Sequence, residues 1–246
     1  MGAGIARCYP ARVRILYRDQ HLLAVDKPAG ILTVPGRGDD SEPLIAQVRA
    51  EEPGALAVHR LDRDTSGVVL FALTRASHRA LNAAFEGRRA EKTYLALVLG
   101  DLEKKRRIDL PLAEVRRGGM RVASADSSRA QPARTEVEPR DRFGSYTLCT
   151  CRPRTGRTHQ IRVHLAAIGH PLAVDPRYGD DRPLHIGDLW SGAPDPDNVV
   201  LDRTPLHALS LRLPHPAKRG WLEVEAPLAD DMARCLDLLS AARRER

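Results

Sequence analysis

The chain has 246 residues, 42% hydrophobic and 29% charged, a globular balance that excludes global disorder. Charges interrupt every apolar run well short of the roughly 18 residues a membrane-spanning helix needs. The first residues lack the apolar stretch of a secretory signal, so a cytoplasmic protein without a membrane partner is expected. Lysine and arginine number 39 against 32 acids, a net charge of +7, and all but five of the 39 are arginine. Such a surplus points to a polyanionic partner, because guanidinium forks bind phosphates bidentately and displace counterions. Cys149 and Cys151 fall two apart in a strand-like stretch and share a face, with no further Cys or His at ligand spacing. Buried thiols are expected there, and no metal site is indicated.

In chain order, residues 1–12 read as a tail. Residues 13–17 and 22–25 read as short strands around the turn Asp19-Gln20-His21, and Ile31 to Val34 resumes the pattern after Lys27-Pro28-Ala29-Gly30. Ser41 is placed to cap a helix reaching about residue 51. The apolar run from Gly67 to Leu73 predicts a buried strand, and Thr74 then caps a helix to Phe85 that Gly87 ends. Residues 93–99 form another apolar strand. The stretch 101–130, with Lys104-Lys105-Arg106-Arg107 and Arg116-Arg117, predicts basic loops and edge hairpins. Residues 134–137 and 146–151 read as paired strands. A helix follows from about Thr158 to Ile168, with Ile161, Leu165 and Ile168 as its apolar stripe. Residues 175–204, rich in Asp, Pro and Gly, predict an irregular insertion. Strands at 206–213 and 221–224 and a helix over 230–242 complete the chain. Turn-linked strands with interspersed helices predict an α+β fold built on a mixed, mainly antiparallel sheet with flanking helices.

Three polar clusters carry candidate chemistry. His59-Arg60-Leu61-Asp62-Arg63-Asp64-Thr65-Ser66-Gly67 sits between two apolar runs, so it is a loop anchored at both ends. An aspartate flanked by arginines stays charged, which makes Asp62 a poor general base but an available nucleophile or electrostatic anchor. The same residues also make an ordinary solvated turn with weak ion pairs. Thr155-Gly156-Arg157-Thr158-His159-Gln160-Ile161-Arg162 combines a close turn, a helix start and two arginines, which suits an anion. It equally describes a capped helix with a surface arginine face. Lys92-Thr93-Tyr94 places a tyrosine early on a buried strand, a position more common for core tyrosines than for base-stacking ones.

Taken together, the order H-R-L-D-x-x-T-S-G, K-x-Y and T-G-R-T-H-Q-I-R resembles the RluA-type RNA pseudouridine synthases. Asp26-Lys27-Pro28-Ala29-Gly30, Gly169-His170-Pro171-Leu172, Tyr178-Gly179 and Leu206-His207-Ala208 fall in the expected order around them. The resemblance, over roughly residues 13–226, implies a catalytic domain over 13–246 with a central cleft. It implies conversion of specific uridines to pseudouridine in structured RNA, either 23S rRNA or a tRNA stem-loop or both. The reaction is an isomerisation, so no cofactor is required. The resemblance makes Asp62 the catalytic aspartate, Tyr94 the tyrosine packed against the target base, and Arg162 the arginine paired with the aspartate. Arg60 matches an arginine that displaces the target nucleotide. Arg157 and His159 are assigned to support or RNA contact, and Leu206 to the apolar floor.

Many relatives carry an S4 RNA-binding domain ahead of the catalytic one, and here only about a dozen residues precede the first strand. RNA grip is therefore expected from the catalytic domain itself, with Lys104 to Arg107 and Arg116-Arg117 as candidate contacts. Relatives usually show Gly-Asp where this chain has Val174-Asp175, a departure expected to affect a turn and not the catalytic set. A monomer is expected. The competing class is a non-catalytic RNA-binding or RNA-chaperone protein of the same fold. A metal-dependent hydrolase would need clustered carboxylates or histidines that the chain does not offer.

Overall fold

Uninterrupted apolar runs build the middle of the molecule. The computed structural model describes residues 13–245 apart from 37, 116–117, 125 and 194. The first half contains β1 (Arg14–Arg18), β2 (Leu22–Lys27), α1 (Leu44–Glu51), β3 (Leu56–Ala57), β4 (Ser66–Ala72), α2 (Arg75–Glu86) and β5 (Glu91–Leu99). Next come β6 (Arg106–Asp109), β7 (Leu112–Glu114), β8 (Met120–Val122), β9 (Arg134–Arg142), β10 (Tyr146–Pro153) and α3 (Gln160–Ala167). The chain closes with β11 (Leu184–His185), α4 (Ile186–Leu189), β12 (Val199–Leu201), β13 (Leu206–Pro214), β14 (Trp221–Glu225) and α5 (Asp230–Arg244). β4 is buried along its whole length and β5 from Leu95 to Val98, as strands covered on both faces must be.

Ten strands form one sheet in the order β1-β2-β4-β13-β5-β10-β9-β6, with β14 beside β13 and β3 beside β4. Only β4 and β13 run parallel; the other pairs in this sheet are antiparallel. The parallel pair slots a late strand between two early ones. Its register sets His207 opposite Ser66 and Ala208 opposite both Gly67 and Tyr94. Three chain-distant segments, the loop entering β4, the start of β13 and the middle of β5, thus meet in one place. The approach is so close at Gly67 (φ +108°) that a Cβ there would stand 2.2 Å from the Ala208 carbonyl oxygen.

Local signals placed several elements correctly. Thr74 caps α2 by accepting the Ser77 N–H at 3.1 Å, and Gly87 follows the helix end. Four expectations need correction. Residues 31–34 form no strand, because the Leu32 and Thr33 carbonyls instead accept from Leu44 and Ile45 at the start of α1. That helix begins after Pro43, while the Ser41 hydroxyl donates to Asp39 at 2.7 Å. The segment within 175–204 is not irregular: β11, α4 and β12 pack Ile186, Leu189 and Val200 against Met232, Cys235 and Leu239 of α5. Finally, α3 is buried on every side rather than along one stripe, with Gln160, Arg162 and His164 all inside. Arg106 and Arg107 join the sheet as part of its edge strand β6, Lys104 and Lys105 precede it, and Arg116 and Arg117 lie outside the described residues.

Candidate active site

The loop from Val58 to Thr65 is held from several sides. Beyond β3 the ladder along β4 continues through a side chain: His59 Nε2 accepts the Leu70 N–H at 3.0 Å while its ring stacks on Phe85. Burial, then the nearby Lys92 charge, pulls His59 down to about 3, so the ring stays a neutral acceptor. Thr33 both accepts the Leu61 N–H (3.0 Å) and donates to its carbonyl (3.2 Å). Lys27 Nζ donates to the Pro28, Ile31 and Arg63 carbonyls, each at 2.8 Å. Arg203, forked on Asp231, donates to the Asp64 carbonyl at 2.9 Å. With its backbone so pinned, the loop lends Asp62 to the wall of a cavity of about 260 Å³.

All seven residues singled out in the sequence line this cavity: Asp62, Tyr94, Arg162, Arg60, Arg157, His159 and Leu206. Tyr94 sits midway along β5, and Leu206 is buried at the first position of β13. Arg60 and Arg157 are exposed at the rim. Burial, then the Asp62 charge, pushes the Tyr94 phenol above its usual range, so it is protonated throughout the physiological interval.

The Asp62 carboxylate faces two nitrogens without being tied to either. Arg162 Nη1 lies 3.7 Å from Oδ2 and His159 Nε2 lies 3.8 Å from it, both beyond hydrogen-bond reach. The close partner of Arg162 is Asp175, which takes Nε at 2.8 Å and Nη2 at 2.7 Å in a buried fork. The departure from the relatives' Gly-Asp lies at Val174, and the matched Asp175 does more than shape a turn. It does accept the Arg177 and Tyr178 amides, at 3.0 and 3.1 Å, but the same carboxylate fixes the guanidinium that faces Asp62. Burial opposes charge on Asp175, yet the Arg162 hydrogen bonds and those amides outweigh it and hold the carboxyl below its usual range.

Tyr178 supports the same arginine. Its ring lies 5.1 Å from the Arg162 guanidinium carbon, and its hydroxyl contacts His159 Nδ1 at 2.8 Å. That hydroxyl also accepts the Met120 N–H at 2.9 Å. Burial pulls the His159 imidazole below its ordinary range against the Asp62 charge. The residue precedes α3 instead of lying on it and has left-handed φ of 51°, rare for a side chain with a Cβ. Sequence reasoning gave no role to Asp175 or Lys27, and none to Tyr178 beyond its motif. Lys92, within the K-x-Y motif, also lines the cavity. An ionised carboxylate, a fixed cation and a protonated phenol in one small cleft suit attack on, or charge stabilisation of, a bound planar ring.

Comparison with known proteins agrees with this geometry. The sequence profile described as RNA pseudouridylate synthase matches residues 21–167. Ribosomal large subunit pseudouridine synthase D of Nitrosomonas europaea is 41% identical over 237 residues, covering 92% of this chain and 65% of that protein. Ribosomal large subunit pseudouridine synthase C of Escherichia coli K12 is 39% identical, covering 93% of this chain and 70% of that protein. The chain thus spans about two thirds of the length of these relatives. Among solved structures, human RNA pseudouridylate synthase domain containing 1 superposes with a TM-score of 0.71 at 26% identity, covering 100% of this chain and 98% of that one. With its profile match, its relatives and its shared fold, the chain belongs to the RNA pseudouridylate synthase family, among the RluA-type members.

Proposed function

We infer that this protein isomerises specific uridines to pseudouridine in large-subunit ribosomal RNA, with Asp62 as the catalytic carboxylate. The observation that carries the reading is the placement of Asp62: a charged carboxylate on a pinned loop, opposite Arg162 and beside Tyr94, in a cavity of nucleoside scale. The target base must first leave its stack, at a cost of about a few kcal/mol, which favours a uridine in a loop. Arg60 and Arg157 at the rim meet the backbone, and Tyr94 and Leu206 receive the ring. Asp62 then acts at C6 of the base or at C1′ of the ribose. The C1′–N1 bond breaks, the uracil turns, and a C1′–C5 bond forms as the C5 hydrogen departs as a proton and N1 gains one. No atom is gained or lost, so the chemistry calls for neither metal nor redox cofactor. Arg162 balances the carboxylate in a site poor in water, and Asp175 keeps it aimed. The working unit is a cytoplasmic monomer, with residues 13–246 as its catalytic domain.

The test is tritium release from [5-³H]uridine-labelled large-subunit rRNA, with tRNA in parallel. Wild type should release tritium, and Asp62→Asn, which keeps the shape and removes the charge, should release none while still binding RNA. Wild-type protein that binds RNA but releases no tritium from naked rRNA, tRNA or partly assembled particles is a binding protein, and the enzymatic reading then fails.

A further inference from the structure

The three buried cations among the described residues each have an answer. Lys27 gives its hydrogens to three carbonyls, Arg162 forks on Asp175, and Arg203 forks on Asp231. Lys92, half-buried in the cavity wall, does not. Its Nζ donates to the Thr155 carbonyl at 3.2 Å, and among the described residues no carboxylate stands within ion-pair distance of it. Two of its three hydrogens have no acceptor among the described residues. Burial, with no acidic neighbour to oppose it, pulls the ammonium down to about 8.

The position is well aimed. Lys92 and Tyr94 are two apart on β5, so both side chains leave the same face of the strand and line the same cavity, roughly 7 Å apart along it. That interval resembles the reach of a nucleoside from its base to its backbone. The wall around the ammonium is narrow: a Cβ on Gly156 would stand 3.4 Å from Nζ, and His59 and Phe85 line the same cavity. Resting on the pseudouridine synthase reading, we propose that Lys92 binds a phosphodiester oxygen next to the target nucleotide, supplying the cleft with a phosphate subsite while Tyr94 takes the base. A lysine suits this task as a compact point charge with free donors. A purely structural tether to Thr155 would use one hydrogen and need no charge.

The experiment uses a short RNA containing one uridine at which wild type releases tritium, and two analogues with a neutral methylphosphonate on the 5′ or the 3′ side of that uridine. Wild type should bind one analogue about tenfold more weakly than the parent RNA. Lys92→Gln should lose the same factor on the parent RNA and nothing further on that analogue, with its log–log salt slope shallower by about 0.7. Lys92→Arg should restore both. Losses that multiply, or an unchanged slope, overturn the proposal. Should Lys92→Gln fail to fold, acetylation of Lys92 in wild type, read by mass spectrometry, decides: the parent RNA should protect it and one analogue should not. Equal protection by all three overturns the subsite, while wild-type tritium release tests the function separately.

Discussion

Arg162 illustrates how a single buried charge is kept in place. Alone, a guanidinium inside a domain carries a large desolvation penalty, and the fork on Asp175 offsets it. Asp175→Asn removes that offset and should lower stability by about 3–5 kcal/mol in urea denaturation, with tritium release falling as well. Because the folded carboxyl lies below its usual range, this stability is fully present at neutral pH. It should be lost only as pH falls through the depressed folded value. Pairing Arg162→Met with Asp175→Leu removes both penalties and should regain most of the lost stability while activity stays absent, since Asp62 then faces no cation. A double variant as unstable as the single one would contradict the pairing. Lys92 gives a second expectation at this scale. Of the groups that share the cavity wall with it, His59, held near 3, and the protonated Tyr94 keep their charge between pH 7 and 9. With the ammonium near 8, wild-type kcat/KM should fall above that pH relative to Lys92→Arg, and the two profiles should run parallel below about 7.5.

At the scale of elements, Tyr178 joins the β7–β8 hairpin to the cleft. Its hydroxyl accepts from Met120 on β8 and contacts His159, while Arg177 reaches the Gly118 carbonyl at the hairpin turn. Beneath the hairpin, Leu112 and Met120 pack with Ala133 and Val163 of α3 as a small separate core. Tyr178→Phe keeps the ring under Arg162 but leaves the Met120 N–H unpaired, a loss of about 1–3 kcal/mol in hairpin docking. The Met120 amide should then exchange faster with solvent, the amides of β4 and β5 should not, and kcat should drop several-fold. Unchanged exchange at Met120 would show that the hydroxyl is no clamp. The difference between what could and could not be read from the sequence follows from range. β4 and α2 were legible because their signals, an unbroken apolar run and a Thr–Gly pair of caps, act within one element. The sides of α3 were not, since Arg162 and His164 are inside only because Asp175 and Thr135 arrive from elsewhere. Residues 31–34 carried a strand's composition, but the start of α1 had claim on their carbonyls. The motif order located the cavity lining, whereas its supports, Lys27, Asp175 and Tyr178, answer groups tens of residues away or hidden by a turn.

Across the whole molecule the net charge of +7 is not spread evenly. On the outer strands of the sheet, arginines and acids face each other across the ladder: Arg152 with Glu138 at 3.0 Å, Arg154 with Glu136 at 2.9 Å, Arg134 with Asp109 at 2.6 Å. Arg142 with Asp101 is a further pair. Exposed pairs like these add little stability each, but they cancel the local field. Arg60, Lys92 and Arg157, all lining the cavity, have no carboxylate within ion-pair distance among the described residues. The cleft therefore presents three unanswered cations to an anionic chain, close to where the chemistry is proposed. Each free cation that neutralises a single-strand phosphate adds about 0.7 to the log–log salt slope. Arg60→Gln and Arg157→Gln should each make the slope shallower by about that amount and weaken binding at low salt far more than at high salt. Arg152→Gln and Arg154→Gln, though they remove the same formal charge, should leave the slope as it is, because each frees an acid as it removes a cation already answered. Equal effects at all four positions would mean that net charge alone governs RNA binding. A loss confined to the cleft would mean that its distribution does, and that the acids of the outer strands help to direct RNA toward Asp62.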